Sequence, residues 1–208
     1  FTNALTTNLT AFFREPHHFE YLRDTILPEV MERNAASRRL RIWSAGCSTG
    51  EEPYSIAITL LEAMPQIGNW DVRILATDLD TSVIDTAVNG MYAEDRVEGL
   101  PEPCLKSWFQ KGKGTRAGMV RVAPAVRNLV RFRRLNLMHE WPMKGPFDII
   151  FCRNVVIYFD KQTQARLFER YAGIMAPGGH LFIGHSESLY KVCDRFELIG
   201  RTIYRGIR

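Results

Sequence analysis

One short stretch of this sequence has the residue types of a small-molecule site at the start of a helix. Residues 44–52 read Ser-Ala-Gly-Cys-Ser-Thr-Gly-Glu-Glu, and Gly46 and Gly50 allow positive φ angles or close approach of a ligand to the backbone. Dinucleotide sites read Gly-x-Gly-x-x-Gly and phosphate loops end in Gly-Lys-Ser/Thr, whereas two glutamates open this helix and would repel a phosphate. The stretch therefore favours a ligand without phosphate here. The structural alternative is a capping box between Ser48 and Glu51.

Asp78 ends the next apolar run of the chain. An α/β nucleotide-binding fold places a carboxylate at this point, where it accepts hydrogen bonds from both ribose hydroxyls. The alternative is a cap for the following helix, a role for which Asp80 is better placed. A nucleoside bound without phosphate contacts points to S-adenosylmethionine, whose sulfonium and ammonium groups are cationic. Glu52 is placed to attract that cationic side.

Polar residues also follow a third apolar run, Phe147–Cys152. Arg153, Asn154 and Tyr158 come after it and should reach the same crevice, because ligands bind at the carboxyl ends of parallel strands. Arg153 equally suits a role as the partner of a carboxylate. Tyr158 has the alternative of a core aromatic, since Ile157 and Phe159 flank it.

The elements that must position these residues alternate along the chain. Apolar runs predict strands at Leu40–Ala45, Val72–Asp78, Phe147–Cys152 and His180–Gly184, and a terminal hairpin from Phe196–Leu198 and Thr202–Tyr204. Helical spacing predicts helices at Glu52–Ala63, Ser82–Asn89 and Lys161–Met175, the last closed by Pro177-Gly178-Gly179. This order predicts an α/β fold with a parallel sheet covered on both faces.

The composition excludes several classes of protein. The 208 residues are 46% hydrophobic and 24% charged, which is typical of a globular chain and too apolar for disorder. No apolar stretch approaches the ~18–20 residues of a membrane helix, so we expect no membrane insertion. Four widely separated cysteines form no Cys-x-x-Cys pair, so we expect reduced thiols, a cytoplasmic location and no metal centre.

Two regions depart from the alternation. Residues 1–37 are mostly helical in pattern and form a lead-in to the first strand. Lys106–Arg134 contains nine Lys or Arg and no acidic residue, and we interpret about 103–135 as a small inserted β-subdomain with strands such as Met119–Val122. Residues 1–208, with both regions included, are expected to form one catalytic domain.

Four motifs in order resemble the chemotaxis receptor glutamate methyltransferase family, CheR. They are Thr-Asn-Leu-Thr-Ala-Phe-Phe-Arg-Glu at 7–15, the turn at 44–55 ending Gly-Glu-Glu-Pro-Tyr-Ser, residues 151–160, and Gly-His-Ser-Glu-Ser at 184–188. The resemblance implies a class I, Rossmann-like methyltransferase sheet with a terminal antiparallel hairpin. It implies S-adenosylmethionine as cofactor and S-adenosylhomocysteine as product. The family ordinarily has a helical N-terminal domain before the first motif, which we expect to be absent here.

The resemblance also implies roles for individual residues. Asn8, Thr10 and Arg14 would fold over the methionine end of the cofactor. Glu52 would hold its ammonium side beside Gly46, and Asp78 its ribose. The positions implied for the adenine and the floor of the site are Asn136, Leu137, Arg153 and Asn154.

The implied substrate is a glutamate carboxylate of a receptor. Its reference pKa near 4.3 means that it is ionised at neutral pH, so attack on the methyl group needs no general base and catalysis is chiefly placement. Arg14 is our candidate for holding a carboxylate, because its planar fork suits two-point contact. Tyr158 is the candidate for orienting the substrate through its hydroxyl.

The implied partners are methyl-accepting chemotaxis receptors, through their cytoplasmic domain, and we expect a monomer. Residues 112–122 are expected to capture a receptor tail peptide by strand addition. Two other classes remain open: an RNA or DNA methyltransferase that uses the basic block, and a non-enzymatic module that retains the cofactor fold. The amino-directed base methyltransferases usually carry an Asp/Asn-Pro-Pro-aromatic tetrad, which the sequence lacks, so we expect no nucleic acid. A solvated basic surface without a partner is the remaining alternative.

Overall fold

The structure is a computed structural model that describes residues 10–207. Its main feature is a seven-stranded sheet in the order β6-β2-β1-β7-β8-β10-β9. The strands are β1 Arg39–Ala45, β2 Asp71–Asp78, β6 Val130–Arg134, β7 Phe147–Cys152, β8 Met175–Ile183, β9 Phe196–Gly200 and β10 Ile203–Gly206. The first five strands in this order pair in parallel, and β10 runs antiparallel to both β8 and β9. The predicted parallel sheet and terminal hairpin are confirmed.

Helices connect these strands. They are α1 Pro16–Tyr21, α2 Leu27–Arg33, α3 Glu51–Ala63, α4 Thr81–Asn89, α5 Glu102–Trp108, α6 Pro124–Leu129 and α7 Lys161–Ile174, with a π-helical turn at Leu22–Ile26 between the first two. Within residues 10–207, no helix combines the length and apolar character that crossing a membrane requires.

Side-chain caps begin two of the helices that follow strands. The Asp80 side chain accepts a hydrogen bond from the Ser82 amide at 2.8 Å and caps the start of α4. The Asp160 side chain accepts a hydrogen bond from the Thr163 amide at 2.8 Å and caps the start of α7. Gly90 ends α4 in the left-handed conformation that glycine favours. These contacts fix where the helices start and stop, and they leave Asp78 at the end of β2 without a capping role.

Among residues 10–207, the capping box between Ser48 and Glu51, the structural alternative for this turn, is not formed. No side-chain hydrogen bond caps α3, whose N-cap is Gly50 at φ +99°. The Ser48 amide instead donates to Asp78 Oδ2 at 2.8 Å, and the Glu51 carboxylate accepts hydrogen bonds from Thr49 Oγ1 and Arg96. The start of α3 is therefore tied to the end of β2 rather than closed on itself.

The sheet is buried on both faces at its centre. Every residue of β7 is buried, and Trp43 in β1 is fully buried, with Trp141 and Tyr171 in edge-on contact with it. Continuous burial of this kind is typical of parallel strands covered by helices on two sides. The strand ends are consequently held in place, and the loops that leave them are positioned by the sheet.

A second, three-stranded antiparallel sheet has the order β3-β5-β4, with β3 Met91–Ala93, β4 Phe109–Lys111 and β5 Met119–Val122. The predicted strand Met119–Val122 is confirmed. The bounds of about 103–135 need correction, because this sheet begins at Met91 and the basic strand β6 belongs to the large sheet. Phe132 explains that placement, since it is buried against Tyr54 on the covered face of the large sheet.

The end of α7 also differs from expectation. The helix ends at Ile174, and Met175–Gly179, predicted to be a helix end and turn, is part of β8. Met175 pairs with Phe147, and the register between β7 and β8 shifts after that pair. An irregular strand start, which the Pro-Gly-Gly sequence permits, therefore replaces the simple turn.

Candidate active site

A cavity of about 750 Å³ opens at the carboxyl ends of the parallel strands, where the strand order reverses between β1 and β7. Asn8 lies outside the described residues. The other predicted site residues all line the cavity: Thr10, Arg14, Gly46, Glu52, Asp78, Asn136, Leu137, Arg153, Asn154 and Tyr158. The loops after four strands and the segment before α1 thus bring the predicted residues to one place.

Asp78 is partly buried and faces this cavity. Its Oδ2 accepts the Ser48 amide at 2.8 Å, and its Oδ1 accepts the Asp80 amide at 3.1 Å. Burial raises the pKa of the Asp78 carboxyl, and these amide hydrogen bonds act against that rise. A carboxylate offers about four acceptor positions, so Asp78 keeps acceptor capacity for hydroxyl donors from a ligand. This arrangement suits a ribose.

Glu52 and Arg153 form a buried ion pair on the wall of the cavity. Arg153 Nη1 donates to Glu52 Oε2 at 3.2 Å, and Ser44 Oγ donates to Glu52 Oε1 at 2.7 Å. The other side of the guanidinium donates to the Arg14 carbonyl oxygen and lies 3.5 Å from Glu15 Oε2. Burial raises the pKa of Glu52, while Arg153 favours its ionised form. The interpretation of Arg153 as a carboxylate partner is therefore confirmed.

The charges on this wall favour a cation. Arg153 stands between two carboxylates, Glu52 and Glu15, and can balance only one of them. The pKa of Glu15 is subject to a rise from burial but is lowered overall by its hydrogen bond from His185 and by Arg153. Glu52 and Asp78 line the cavity together with Arg14 and Arg153, and the carboxylates of Glu52 and Glu15 on this wall are the groups that suit a sulfonium or ammonium group.

Gly46 provides the close approach that its position after β1 predicts. Its φ is +88°, and a Cβ there would meet Val155 Cγ2 at 2.4 Å. The amides of Gly46 and Cys47 both donate to the Thr77 carbonyl oxygen, at 2.8 and 2.9 Å, so the turn is held against the end of β2. A side chain at this position would strain the turn and displace the loop after β7.

Arg14 and Tyr158 also line the cavity. The Tyr158 side chain is 54% exposed, and the alternative of a core aromatic is therefore wrong. Its neighbours Ile157 and Phe159 line the same cavity rather than enclosing Tyr158 in a core. A hydroxyl that is accessible here can meet a substrate that approaches from solvent.

The adenine side predicted for Asn136 and Leu137 is a fixed loop. Asn136 Oδ1 accepts the Met138 amide at 2.9 Å, and Arg170 on α7 donates to the Leu137 carbonyl oxygen at 2.6 Å. The Arg170 guanidinium lies 3.8 Å from the centre of the Trp141 ring. The apolar side chain of Leu137, on a loop that these contacts hold in place, is suitable for packing against a flat base.

Two residues of one motif are among those at the cavity that the sequence reasoning missed. His185 and Ser186 line it, and His185 Nδ1 lies 3.0 Å from Glu15 Oε1. Both belong to the Gly-His-Ser-Glu-Ser motif at 184–188, which served only to identify the resemblance. Their position directly after β8 was the signal that would have found them, because the carboxyl end of β8 lies beside that of β7.

Glu15, His17 and His18 are close enough to consider as a metal site, with ligand atoms within 4.8 Å of one another. The Glu15 carboxylate already has Arg153 and His185 as neighbours. Arg153 Nη2 lies 3.5 Å from Glu15 Oε2, and its positive charge would repel a metal ion bound to the same carboxylate. We therefore assign no ion to this cluster.

The donor set fits S-adenosylmethionine. Asp78 suits its ribose, the carboxylates of Glu52 and Glu15 suit its cationic end, and the first turn of α3 carries glutamates rather than a phosphate-binding lysine. The sheet order and this cavity define the class: a Rossmann-like methyltransferase that uses S-adenosylmethionine. The family model described as "CheR methyltransferase, SAM binding domain" matches residues 8–205. The chain belongs to the CheR family.

Named relatives are similar to most of this chain. The chain is 48% identical over 202 residues to a "Probable chemotaxis protein methyltransferase" of Rhizobium etli, covering 97% of this chain and 75% of that protein. It is 50% identical over 207 residues to "Chemotaxis protein methyltransferase 2" of Pseudomonas aeruginosa, covering 98% and 71%. A geranyl diphosphate C-methyltransferase structure from Streptomyces coelicolor has 16% identity, a TM-score of 0.43 and coverage of 81% of this chain and 44% of its own.

Proposed function

We propose that the protein transfers a methyl group from S-adenosylmethionine to glutamate carboxylates on the cytoplasmic domains of chemotaxis receptors. The observation that carries the proposal is the family match over residues 8–205, whose relatives are named chemotaxis protein methyltransferases. The product is a glutamate methyl ester, and the proposed location is the cytoplasm. The geometry of the cavity supports the proposal, because it joins a site for a cationic nucleoside to accessible polar groups at its opening.

The residues of the chain act mainly by placement. S-adenosylmethionine, when bound, supplies an electrophilic methyl group on a sulfonium. Asp78 binds and orients the ribose, and Glu52 with Arg153 sets the charge near the methionine end. A substrate carboxylate is already ionised at neutral pH, so no side chain has to remove a proton. Holding the two reactants in line can contribute on the order of 7–11 kcal/mol.

Arg14 and Tyr158 are the proposed catalytic residues. Arg14 offers a planar donor pair to the incoming carboxylate or to that of the cofactor, and Tyr158 offers one hydroxyl donor. Arg14 precedes Glu15 in the chain. The Arg14 carbonyl oxygen accepts a hydrogen bond from the Arg153 guanidinium, which fixes the backbone of Arg14 to the wall of the cavity. An arginine that positions a carboxylate without forming a tight ion pair leaves the attacking oxygen nucleophilic.

A receptor tail peptide would have to add to an edge of the small sheet. The expectation for residues 112–122 needs correction, because β5 is the central strand and pairs with both β3 and β4. The edge strand β4 is the better of the two edges for an acidic peptide. Lys111 and Lys113 lie at its end, whereas Glu94 and Asp95 follow β3.

The basic block gives no support to a nucleic-acid substrate. None of the residues from Lys106 to Arg134 lines the cavity. Its strands are divided between the small sheet and the edge strand β6. A nucleic acid bound to this surface would therefore not be presented to the methyl group by the block itself.

The decisive experiment is incubation of the protein with methyl-labelled S-adenosylmethionine and receptor cytoplasmic fragments, with RNA in a parallel reaction. We expect label in the receptor fragment that is released as methanol by mild base, as a glutamate methyl ester requires. Base-stable label in the receptor, or label in RNA alone, would contradict the proposal. The Asp78→Asn variant is the control for the cofactor site, and we expect it to transfer less label than the wild type at the same concentration of S-adenosylmethionine.

A further inference from the structure

Within the part of the chain that the structure describes, the backbone of the loop from Arg153 to Phe159 pairs with no strand. It carries three of the proposed site residues, Arg153, Asn154 and Tyr158, and contains a single 3₁₀ turn at Val156–Tyr158. Asn154 within it has a φ of +58°. A buried backbone needs partners for its N–H and C=O groups, so something other than the sheet must hold this loop.

Glu187 provides acceptors for the loop's N–H groups. Its Oε2 accepts from the Asn154 amide at 3.0 Å, and its Oε1 accepts from the Val156 amide at 2.9 Å. The same Oε2 accepts from the Gly184 amide at 2.6 Å, which joins the loop to the end of β8. Burial raises the pKa of the Glu187 carboxyl, and these hydrogen bonds favour its ionised form.

Gln164 on α7 provides donors for the loop's carbonyl groups. Its Nε2 donates to the carbonyl oxygens of Val156 and Phe159, both at 2.9 Å. Lys161 Nζ donates to Gln164 Oε1 at 3.2 Å, which fixes the orientation of the amide. The Gln164 side chain is buried. Two carbonyl oxygens require two N–H donors, and the NH₂ group of an amide provides both, whereas a carboxylate provides none.

We infer that Glu187 and Gln164 together position the loop from Arg153 to Phe159, with the carboxylate holding its N–H groups and the amide holding its C=O groups. Both hold Val156, two residues before Tyr158. Neither residue lines the cavity, so both are positioning residues: Glu187 acts through Asn154 and Tyr158, and Gln164 acts through Tyr158. The role of Tyr158 in this inference rests on the proposed function, whereas the fixing of the loop does not.

The first test is Gln164→Glu, which keeps the shape of the side chain and replaces its donor by an acceptor. The matched control is Gln162→Glu, an exposed position two residues earlier with the same change in charge. Hydrogen exchange measured by mass spectrometry should show faster exchange at residues 153–159 in Gln164→Glu alone. Unchanged exchange in this segment would overturn the inference, whether or not the protein transfers methyl groups.

The second test separates placement of Tyr158 from general damage. Gln164→Glu should lower kcat about tenfold or more and change the affinity for S-adenosylmethionine less than about threefold, because its hydrogen bonds flank Tyr158 and not the cofactor residues. In a Tyr158→Phe background the same change should lower kcat less than about threefold. Equal losses in both backgrounds would contradict placement through Tyr158.

Glu187→Gln provides an independent route if Gln164→Glu does not fold. A glutamine there cannot accept three amide hydrogens without turning its NH₂ group toward one of them. We expect lower kcat and also weaker cofactor binding, because Asn154 lies in the cofactor cavity and loses its holder. Wild-type kcat and wild-type exchange in a folded Glu187→Gln protein would overturn the role of Glu187. Lack of methyl transfer by the wild type would instead contradict the proposed function.

Discussion

The charge balance at single residues determines what this cavity can hold. Arg153 has two carboxylate neighbours, Glu52 and Glu15, while Asp78 and Arg14 add one charge of each sign to the cavity lining. Breaking a buried ion pair by removing one partner is costly, because the other charge is left unbalanced. Arg153 therefore supports the fold as well as the site, and its replacement cannot separate the two roles. Asp78 and Tyr158 are better probes.

Asp78→Asn should weaken binding of S-adenosylmethionine by about 1–3 kcal/mol, a factor of roughly 5 to 150 in Kd. The amide keeps the shape of the side chain but turns one acceptor into a donor, so a ribose hydroxyl or a backbone amide loses its partner. Calorimetric titration measures the change. Asp85→Asn, an exposed position on α4, is the control and should bind like the wild type. Unchanged affinity in a folded Asp78→Asn protein would limit Asp78 to a structural role.

Tyr158→Phe should lower methyl-transfer turnover and leave cofactor affinity nearly intact, since only a hydroxyl at the opening of the cavity is removed. Arg14→Ala should lower both, because Arg14 is proposed to contact the cofactor as well as the substrate. Turnover at saturating substrate and calorimetric Kd values distinguish the two patterns. Tyr190→Phe, at a highly exposed position outside the cavity, is the matched control. Wild-type turnover in both variants would remove Arg14 and Tyr158 from the catalytic residues.

Among the secondary-structure elements, the central strands were predicted correctly from their apolar runs. The strands that end at Ala45, Asp78 and Cys152 were predicted to within one residue at that end, because buried parallel strands are continuous apolar runs. The placement of β6 was not predicted, since its arginines resemble an exposed strand while Val130 and Phe132 are buried.

Contacts distant in sequence explain what was missed at the site. Glu187 lies more than thirty residues from the amides of Asn154 and Val156 that it accepts, so no spacing rule connects them. The small sheet shows the same limit. Its β3 strand at Met91 precedes α5 and joins β5 only through tertiary pairing, so the basic composition alone marked the wrong bounds.

The geometry of β4 gives a prediction for peptide capture. The Gly112 amide donates to the Met119 carbonyl oxygen, and the Ala123 amide donates to the Trp108 carbonyl oxygen. Hydrogen-bonded and non-hydrogen-bonded pairs alternate along an antiparallel ladder, so the backbone N–H group of Gln110 faces β5. The N–H group of Lys111 therefore points to the free edge. Lys111→Pro should weaken binding of an acidic receptor tail peptide by a factor of about 2–10 relative to Lys111→Ala, because it removes one edge donor.

Titration of the tail peptide into both Lys111 variants measures this effect, and S-adenosylmethionine binding should be equal in the two. Gln110→Pro is an informative contrast, since it breaks the internal ladder and should lower the melting temperature as well. Equal peptide affinity in Lys111→Pro and Lys111→Ala would show that β4 is not the edge that captures the peptide.

For the whole molecule, two buried histidines couple folding to pH. Burial lowers the pKa of His18 to about 3 and that of His180 to about 4, from an ordinary value of 6.5. His180 also faces Arg205 and Arg33, which disfavour its protonation, while Asp148 favours it. His18 joins α1 to the terminal hairpin through Thr202, at 2.9 Å from its Nε2. Protonation of either ring would therefore act on contacts that join distant parts of the chain.

The sign of the effect follows from proton uptake. Between pH 6.5 and about 4 the unfolded chain binds a proton at His180 that the folded protein does not, so the free energy of unfolding falls as the pH is lowered through this window. The full effect of one proton is about 1.4 kcal/mol per pH unit. Burial raises the pKa of Glu52, Asp78 and Glu187, and those carboxylates act in the opposite direction.

A substitution isolates the histidine contribution, because the carboxylates are common to both proteins. The slope of the unfolding free energy against pH, between 6.0 and 4.5, should be smaller in His180→Phe than in the wild type by up to about 1.4 kcal/mol per pH unit. Denaturant unfolding at several pH values measures both slopes. His139→Gln, at an exposed position, should leave the slope unchanged. Parallel slopes for His180→Phe and the wild type would show that His180 takes up its proton equally in the folded and unfolded chain.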